Sequence, residues 1–239
     1  MYKFIIFSPA FNCDQFIEKH IHSVNIQTNT NYIHILIDDA STDSTYKIIS
    51  KYRNKQHLVF STATNQKWIA NSLVFLPKIA QDEDIIICLD ADDWFADSHV
   101  LEYLASVYET EQPWLTYGQF FPTNPSWMGN RAKPFQHREF RKHKWVFTHL
   151  KTFKFFLFNA INPNDFLGPD GNYATMTYDM AIMFPMLELC PSNKIKFINR
   201  VLCIYNINNP LCVEKTNQKK QREMEYWFRS KNPYKILER

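Results

Sequence analysis

Asp90-Ala91-Asp92-Asp93 sets three carboxylates within four residues, directly after the hydrocarbon run Ile85-Ile86-Ile87-Cys88-Leu89. Like charges crowded this closely are costly unless a cation relieves them. A hard divalent ion, Mn²⁺ or Mg²⁺, held by one or two carboxylates and completed by phosphate oxygens and water, meets that need. The plainer alternative is that these acids cap the next helix. A second acidic run, Asp38-Asp39-Ala40-Ser41-Thr42-Asp43, is good turn and helix-start chemistry, and one of its carboxylates could instead accept a hydrogen bond from the N–H edge of a pyrimidine. A third acid, Asp179, falls at the start of an apolar helical pattern, where an acid serves as the N-cap.

Groups of this kind need strands that end at a common edge. Lys3–Ser8, Tyr32–Ile37, Leu58–Ser61 and Asp84–Leu89 read as buried strands. Between them lie helical patterns starting near Asp14, running through Tyr52, and running from Trp68 to Ile79 with a kink or end near Pro77. Strands alternating with helices predict a mostly parallel α/β sheet whose ligand crevice lies beyond the carboxyl ends of the strands. Beyond Asp97 the pattern predicts a helix to about Glu109 and a strand pair near Trp114–Phe121, then a long Pro- and Arg-containing mobile stretch. Helices over Val146–Phe158 and Tyr178–Leu189, a strand over Lys196–Asn206 and a polar helix from about Glu214 to Lys231 complete the chain.

At 239 residues, with 45% hydrophobic and 21% charged, the chain fits one domain that buries its core without disulfides. Its four glycines, Gly118, Gly129, Gly168 and Gly171, cannot be assembled into a Gly-rich phosphate loop, so a nucleotide must be gripped another way. Cys13, Cys88, Cys190, Cys203 and Cys212 are scattered, without a C-x-x-C pair, which fits a reducing compartment. No apolar run approaches the roughly 18 residues that span a bilayer. The opening MYKFIIFSPAFN has neither a basic n-region nor a cleavage site, so a soluble, cytoplasmic protein with no transmembrane segment is expected. A net charge of +3 makes no case for nucleic acid as partner. From Arg131 to Lys154, however, eight Lys/Arg face the single acid Glu139, and the Arg131–Lys144 part reads either as a lid over an anionic donor or as a solvated basic face.

The spaced set Ser8-Pro9-Ala10-Phe11-Asn12, Asp38-Asp39-Ala40-Ser41-Thr42-Asp43 and Asp90-Ala91-Asp92-Asp93 resembles the N-terminal half of family 2 glycosyltransferases with the GT-A fold. Those proteins carry P-x-[aromatic]-N, D-D-[GA]-S-x-D and D-x-D at similar intervals. The resemblance implies a Rossmann-like central sheet flanked by helices, with residues 1–110 as the nucleotide-sugar half and 111–239 as an acceptor-side half bearing a C-terminal helical extension. It also implies that Pro9, Ala10, Phe11 and Asn12 line the nucleotide pocket with Asp38, Asp39 and Ala91, and that Asp39 meets the base. Asp90 would lie near the ribose or donor sugar, and Asp92 would hold the metal against the diphosphate. The family's E-D-like motif is matched only by the Asp of Tyr178-Asp179-Met180, which makes Asp179 the expected base.

Where family members often read N-x-G with a later R-N, this chain reads Asn65-Gln66-Lys67, and Lys67 is the expected replacement cation at the nucleotide. The Q-x-x-R-W signature of processive synthases is absent, which argues for transfer of a single sugar. Thr148-His149-Leu150-Lys151-Thr152-Phe153 resembles an S-H-L-R-T-F run in lipopolysaccharide-type members, implying His149 as a further metal or phosphate ligand and Lys151 as a counter-charge to the diphosphate. A structural histidine is the alternative. The resulting expectation is a metal-dependent, inverting transfer from a UDP-sugar to a hydroxyl of a glycan, lipid-linked or protein acceptor. Two rivals remain at this level. A sugar nucleotidyltransferase would need a Gly-rich loop in place of Pro9-Ala10-Phe11-Asn12, and a nucleic-acid-binding surface would rest on the basic stretch with its aromatic residues.

Overall fold

The computed structural model describes residues 2–127, 129, 131–210 and 217–239. Its centre is β1 (Phe4–Ala10), which pairs in parallel with β2 (Tyr32–Asp38) on one side and β4 (Ile85–Cys88) on the other. Both faces of such strands are covered, so Phe4–Phe7 and Ile85–Cys88 are apolar at successive positions rather than at alternate ones. Phe4 and Ile6 point into one core cluster with Ile85 and Ile87, while Ile5 and Phe7 point into another with Ile86 and Cys88. Beyond β2 lies β3 (His57–Ser61), also parallel.

The whole sheet has eight strands in the order β3-β2-β1-β4-β7-β6-β8-β5. β7 (Lys151–Lys154) runs antiparallel to both β4 and β6 (Leu115–Pro122), β6 is parallel to β8 (Ile195–Tyr205), and the two-residue β5 (Trp94–Phe95) closes the far edge antiparallel to β8. Only β7 and β5 run against the rest, so the expected mostly parallel sheet is present. The strand order reverses between β1 and β4, and it is there that open α/β sheets form their ligand crevice.

Helices α1 (Ile17–Asn25), α2 (Thr45–Ile49), α3 (Lys67–Ile79) and α4 (Val100–Glu111) make the crossovers of the first half. Pro77 does not end α3; it sits in the last turn, and the helix runs two residues further. The helix expected over Val146–Phe158 is instead β7 followed by the short α5 (Phe155–Asn159). An apolar run reads alike in either state. What decides for strand is hydroxyl pairing inside the sheet, with Thr152 Oγ1 2.8 Å from Tyr108 Oη and 2.7 Å from Thr116 Oγ1. The strand pair expected near Trp114–Phe121 is one long strand, β6, whose partners come from elsewhere in the chain.

The second half is closed by α6 (Tyr178–Leu189) and by α7 (Gln218–Ser230), which is capped by Asn217 accepting from the Lys220 N–H. The proposed helix start at Glu214, and Cys212, lie outside the described residues. Cys13, Cys88, Cys190 and Cys203 are free and buried. Among the described residues no helix is long and apolar enough to cross a membrane.

The basic stretch is part solvated and part anchored: Arg131, Lys133, Lys142 and Lys144 are exposed, whereas Arg141 is buried. Arg138 donates to the carbonyls of Glu188 and Cys190, and Arg141 makes a two-pronged pair with Glu188 under 9% exposure. Lys151 pairs with Asp179, Lys154 with Glu83 and Lys142 with Glu139. Arg138, Arg141, Lys151 and Lys154 therefore fasten this part of the chain to the body of the protein, while the Lys142–Glu139 pair is an exposed one within the segment.

Candidate active site

Strand β4 carries only hydrocarbon and Cys88 into the sheet centre, and the chain leaves it in a turn closed by the Asp93 N–H donating to the Asp90 carbonyl at 2.9 Å. Each carboxylate of that turn has a different neighbour. Tyr178 Oη lies 2.8 and 2.7 Å from the two oxygens of Asp90, to which it donates. Asn209 Nδ2 donates to Asp92 at 2.7 Å. Asp93 accepts from the Asn206 N–H at 2.7 Å through one oxygen, and its other oxygen is buried without a partner. Burial, followed by repulsion from Asp92 and Asp179, pushes Asp90 up to about 7 against the pull of Tyr178 and Lys151. Asp93 is likewise driven well above the usual carboxylate range by burial, then by Asp92 and Asp90.

Asp90, Asp93 and His149 each offer a ligand atom, and the three atoms lie within 4.8 Å of one another. Burial, with Lys151 nearby, holds His149 down to about 3, so its ring is neutral and able to ligate. Two carboxylates and an imidazole suit Mn²⁺ or a similar ion, and the orphaned oxygen of Asp93 is the kind of group such an ion would satisfy. The sequence reading paired His149 with Asp92; the structure pairs it with Asp90 and Asp93. Asp92 is turned instead toward an adjoining cavity.

That cavity has a volume of about 220 Å³ and brings together Pro9, Ala10, Phe11, Asp39, Lys67, Asp90, Ala91 and Asp92 from the expected set. Trp68 and Tyr178, which were not singled out, share its wall and stack at 4.9 Å with their planes 7° apart. Asn12 and Asp38 do not line it. Asn12 Oδ1 accepts from the Thr42 N–H at 2.8 Å, so it ties the loop after β1 to the loop after β2. Asp38 lies buried at the end of β2, one oxygen without a partner.

Asp39 is more committed than a free base-reading carboxylate. One oxygen accepts from Thr62 Oγ1 at 2.9 Å and from the Gln66 N–H at 2.9 Å, and the other from the Lys67 N–H at 2.7 Å. This last bond belongs to a left-handed turn, with Lys67 at φ 66°. The residue therefore shapes the pocket wall, and three accepted bonds leave one of its four acceptor sites uncommitted. The Lys67 ammonium stands 5.0 Å from the Phe11 ring centroid.

Asp179 is not the N-cap of α6. Thr177 holds that position, with φ 57° and no side-chain cap bond, and Asp179 lies in the first turn. Its carboxylate pairs with the Lys151 ammonium, which is wholly buried on β7. Burial pulls that ammonium down, but the Asp179 pair, with Cys88 and Asp90, outweighs it and leaves Lys151 raised. Lys151 is thus engaged with the acid and is not a loose counter-charge for a diphosphate. Asp179 and His149 line a second, smaller cavity of about 100 Å³ with Phe120, Trp127, Trp145, Thr148 and Tyr205.

Beneath the acidic turn lies a chain of buried histidines. His20 Nδ1 is 2.7 Å from the Asp93 carbonyl, His20 Nε2 is 3.2 Å from His34 Nε2, and His34 Nδ1 is 3.1 Å from His57 Nδ1. A carbonyl only accepts, so His20 Nδ1 donates at one end of the chain, and at the other His57 Nε2, 2.7 Å from Asn25 Oδ1, donates in the same way. His20, His34 and His57 all lie away from the water that would solvate a charged ring. Burial accordingly lowers His20 to about 4, His34 well below its ordinary value, and His57 in the same direction.

Against known proteins, the sequence profile of glycosyl transferase family 2 matches residues 5–167. Poly(ribitol-phosphate) beta-N-acetylglucosaminyltransferase TarS of Staphylococcus aureus is 32% identical over 97 residues, covering 39% of this chain and 17% of TarS. An uncharacterized glycosyltransferase of Haemophilus influenzae is 36% identical over 101 residues, 41% of this chain and 40% of that protein. The matches thus span less than half of these curated relatives. Among solved structures, S. aureus TarS 1–349 in complex with UDP superposes with a TM-score of 0.63 at 18% identity, covering 86% of this chain and 60% of the other. The mannosyltransferase PcManGT from Pyrobaculum calidifontis, in complex with GDP-Man and Mn²⁺, gives 0.61 at 14% identity, covering 88% and 59%. These likenesses show the GT-A fold.

Proposed function

Because the chain belongs to glycosyl transferase family 2, we propose that it moves one sugar from a UDP-linked donor to an acceptor hydroxyl, with Mn²⁺ or Mg²⁺ and with inversion at the anomeric carbon. The observation that carries this reading is that two cavities border one cluster of potential metal ligands. Asp90 lines the first, and its ligand-distance neighbour His149 lines the second together with Asp179. A donor in the first and an acceptor in the second would meet at the carboxylates.

In that arrangement the nucleotide lies among Phe11, Lys67, Trp68 and the remaining lone pair of Asp39, which accepts from the N–H of uracil. The UDP bound to the TarS structure supports this choice of base. Asp90, Asp93 and His149 would hold the cation, with Asp92 lining the adjoining donor cavity, and the ion would supply positive charge against the departing nucleoside diphosphate. Asp179 takes the proton of the incoming hydroxyl, and the Lys151 ammonium holds its carboxylate in place. One displacement inverts the centre. The four buried free thiols support a reducing compartment, and we assign the protein to the cytoplasm.

The test is calorimetry of UDP with and without Mn²⁺, followed by donor turnover in Asp179→Asn. UDP should bind with near wild-type affinity in the variant, and turnover should fall by about 10² to 10⁴. Turnover within a few fold of wild type would remove Asp179 from the chemistry, and metal-independent UDP binding would remove the cation.

A further inference from the structure

The acceptor's chemical class follows from the smaller cavity, given the transfer reaction above. We propose that it receives an uncharged pyranose ring, the terminal sugar of a glycan acceptor, laid against aromatic faces with one hydroxyl turned to Asp179. A base must touch the hydroxyl it deprotonates, and Asp179 lines this cavity and not the donor's. The acceptor therefore enters here.

The walls are flat rings. Tyr205 sits 5.3 Å from Phe120 and 5.6 Å from Trp127, and His149 stacks on Tyr205 at 5.3 Å with an interplanar angle of 21°. Trp145 adds an indole braced edge-on by Phe184 at 5.4 Å. Backbone lies directly on the Trp127 ring, since a Cβ at Gly129 would fall 1.7 Å from an indole carbon. The rings are thus held in place before any ligand arrives, which lowers the ordering penalty of binding. A sugar ring pairs an apolar C–H face with a rim of hydroxyls, and aromatic planes beside a carboxylate match both halves.

Other acceptors fit less well. An anionic polyol or lipid phosphate would need a cation in the wall, yet among the described residues no Lys or Arg lines this cavity and the nearby Lys151 is paired with Asp179. The hydroxyl of Thr148 already donates to the Gly118 carbonyl at 2.8 Å. A peptide needs an extended groove with backbone partners, whereas about 100 Å³ has the room of a few waters. That suits one end of a ligand inserted edgewise.

The experiment is saturation-transfer NMR on the protein loaded with UDP and Mn²⁺, using methyl β-D-glucopyranoside and methyl N-acetyl-β-D-glucosaminide against ribitol 5-phosphate and a serine-containing peptide. A pyranoside should bind, about tenfold more weakly in Trp127→Ala and in Trp145→Ala, with recovery in Trp127→Phe and unchanged UDP affinity throughout. Two indoles in different surroundings keep the test open should one variant misfold. No pyranoside binding, pyranoside binding indifferent to both indoles, or Trp127-dependent binding of ribitol phosphate or peptide alone would each overturn the assignment while leaving the donor reading intact. Failure of wild-type protein to bind UDP at all would overturn the transferase reading and this one with it.

Discussion

His20→Gln should change how stability depends on pH, by an amount the buried chain fixes. The wild-type ring is pushed from its ordinary 6.5 to about 4 by burial, so between those values the unfolded chain holds a proton that the folded protein refuses. A folded-state value below the unfolded one means stability present above 6.5 and lost as the pH falls toward 4. At about 1.36 kcal/mol per pH unit for one proton, the interval of about 2.5 units is worth about 3 kcal/mol. Asp90 has the opposite sign: raised to about 7, it favours the folded state at low pH and loses that contribution as the pH rises through 7. Wild-type slopes alone therefore mix the two. The difference between wild type and His20→Gln cancels the carboxylates, which both proteins share. Urea unfolding in EDTA at half-unit steps from pH 7.5 to 4.5 should show the wild-type advantage shrinking by about 2 to 3 kcal/mol as the pH falls. Parallel curves, with a constant difference across the range, would refute a proton-excluding chain.

Asp93→Asn should raise the Mn²⁺ concentration needed for half-maximal UDP binding by about 10- to 100-fold, and Asp92→Asn by less, because Asp93 shares a ligand cluster with Asp90 and His149 and Asp92 does not; equal effects in a calorimetric titration would contradict that grouping. Asp39→Ala strands the Gln66 and Lys67 N–H groups, and should cost about 2 kcal/mol or more in urea unfolding as well as most UDP affinity. Unchanged stability there would mean that solvent replaces the carboxylate. Arg141→Met leaves Glu188 charged and buried at 3% exposure, for an expected loss of about 3 to 5 kcal/mol, and the double variant Arg141→Met/Glu188→Leu should recover part of it in the same assay.

The sequence made some features plain because a single local rule produces them. β1 and β4 are hydrocarbon on both faces, and the acids after β4 need no tertiary information to be noticed. β7 was hidden because its two lysines look like solvent-facing residues. Both are buried, and the acids that permit this, Asp179 and Glu83, are 28 and 71 residues away. Asp39 was read as open to a ligand because its donors belong to a loop 23 to 28 residues later. Asp93 was passed over for Asp92 because spacing cannot say which of two adjacent carboxylates turns toward His149. The histidine chain joins α1, β2 and β3 across 14 and 23 residues, and no periodicity reports it.

A chain with so few glycines must still turn sharply around its ligand, and it does so with residues that carry a Cβ. Asn12, Ala40, Lys67 and Thr177 all lie at positive φ, each in a loop bordering the larger cavity or just before Tyr178. The left-handed conformation costs each about 1 to 2 kcal/mol, less for asparagine. Such geometry persists only where surrounding bonds over-determine it. Those bonds are present: Asn12 is tied to Ser41 and Thr42, and the Lys67 N–H to Asp39. Asn12 and Asp39 thereby serve the pocket by fixing its rim. A rim set before the ligand arrives spends less of the binding free energy on ordering loops. Lys67 also gains what glycine could not provide, since the same strained position that donates to Asp39 holds an ammonium over Phe11 at the mouth of the cavity.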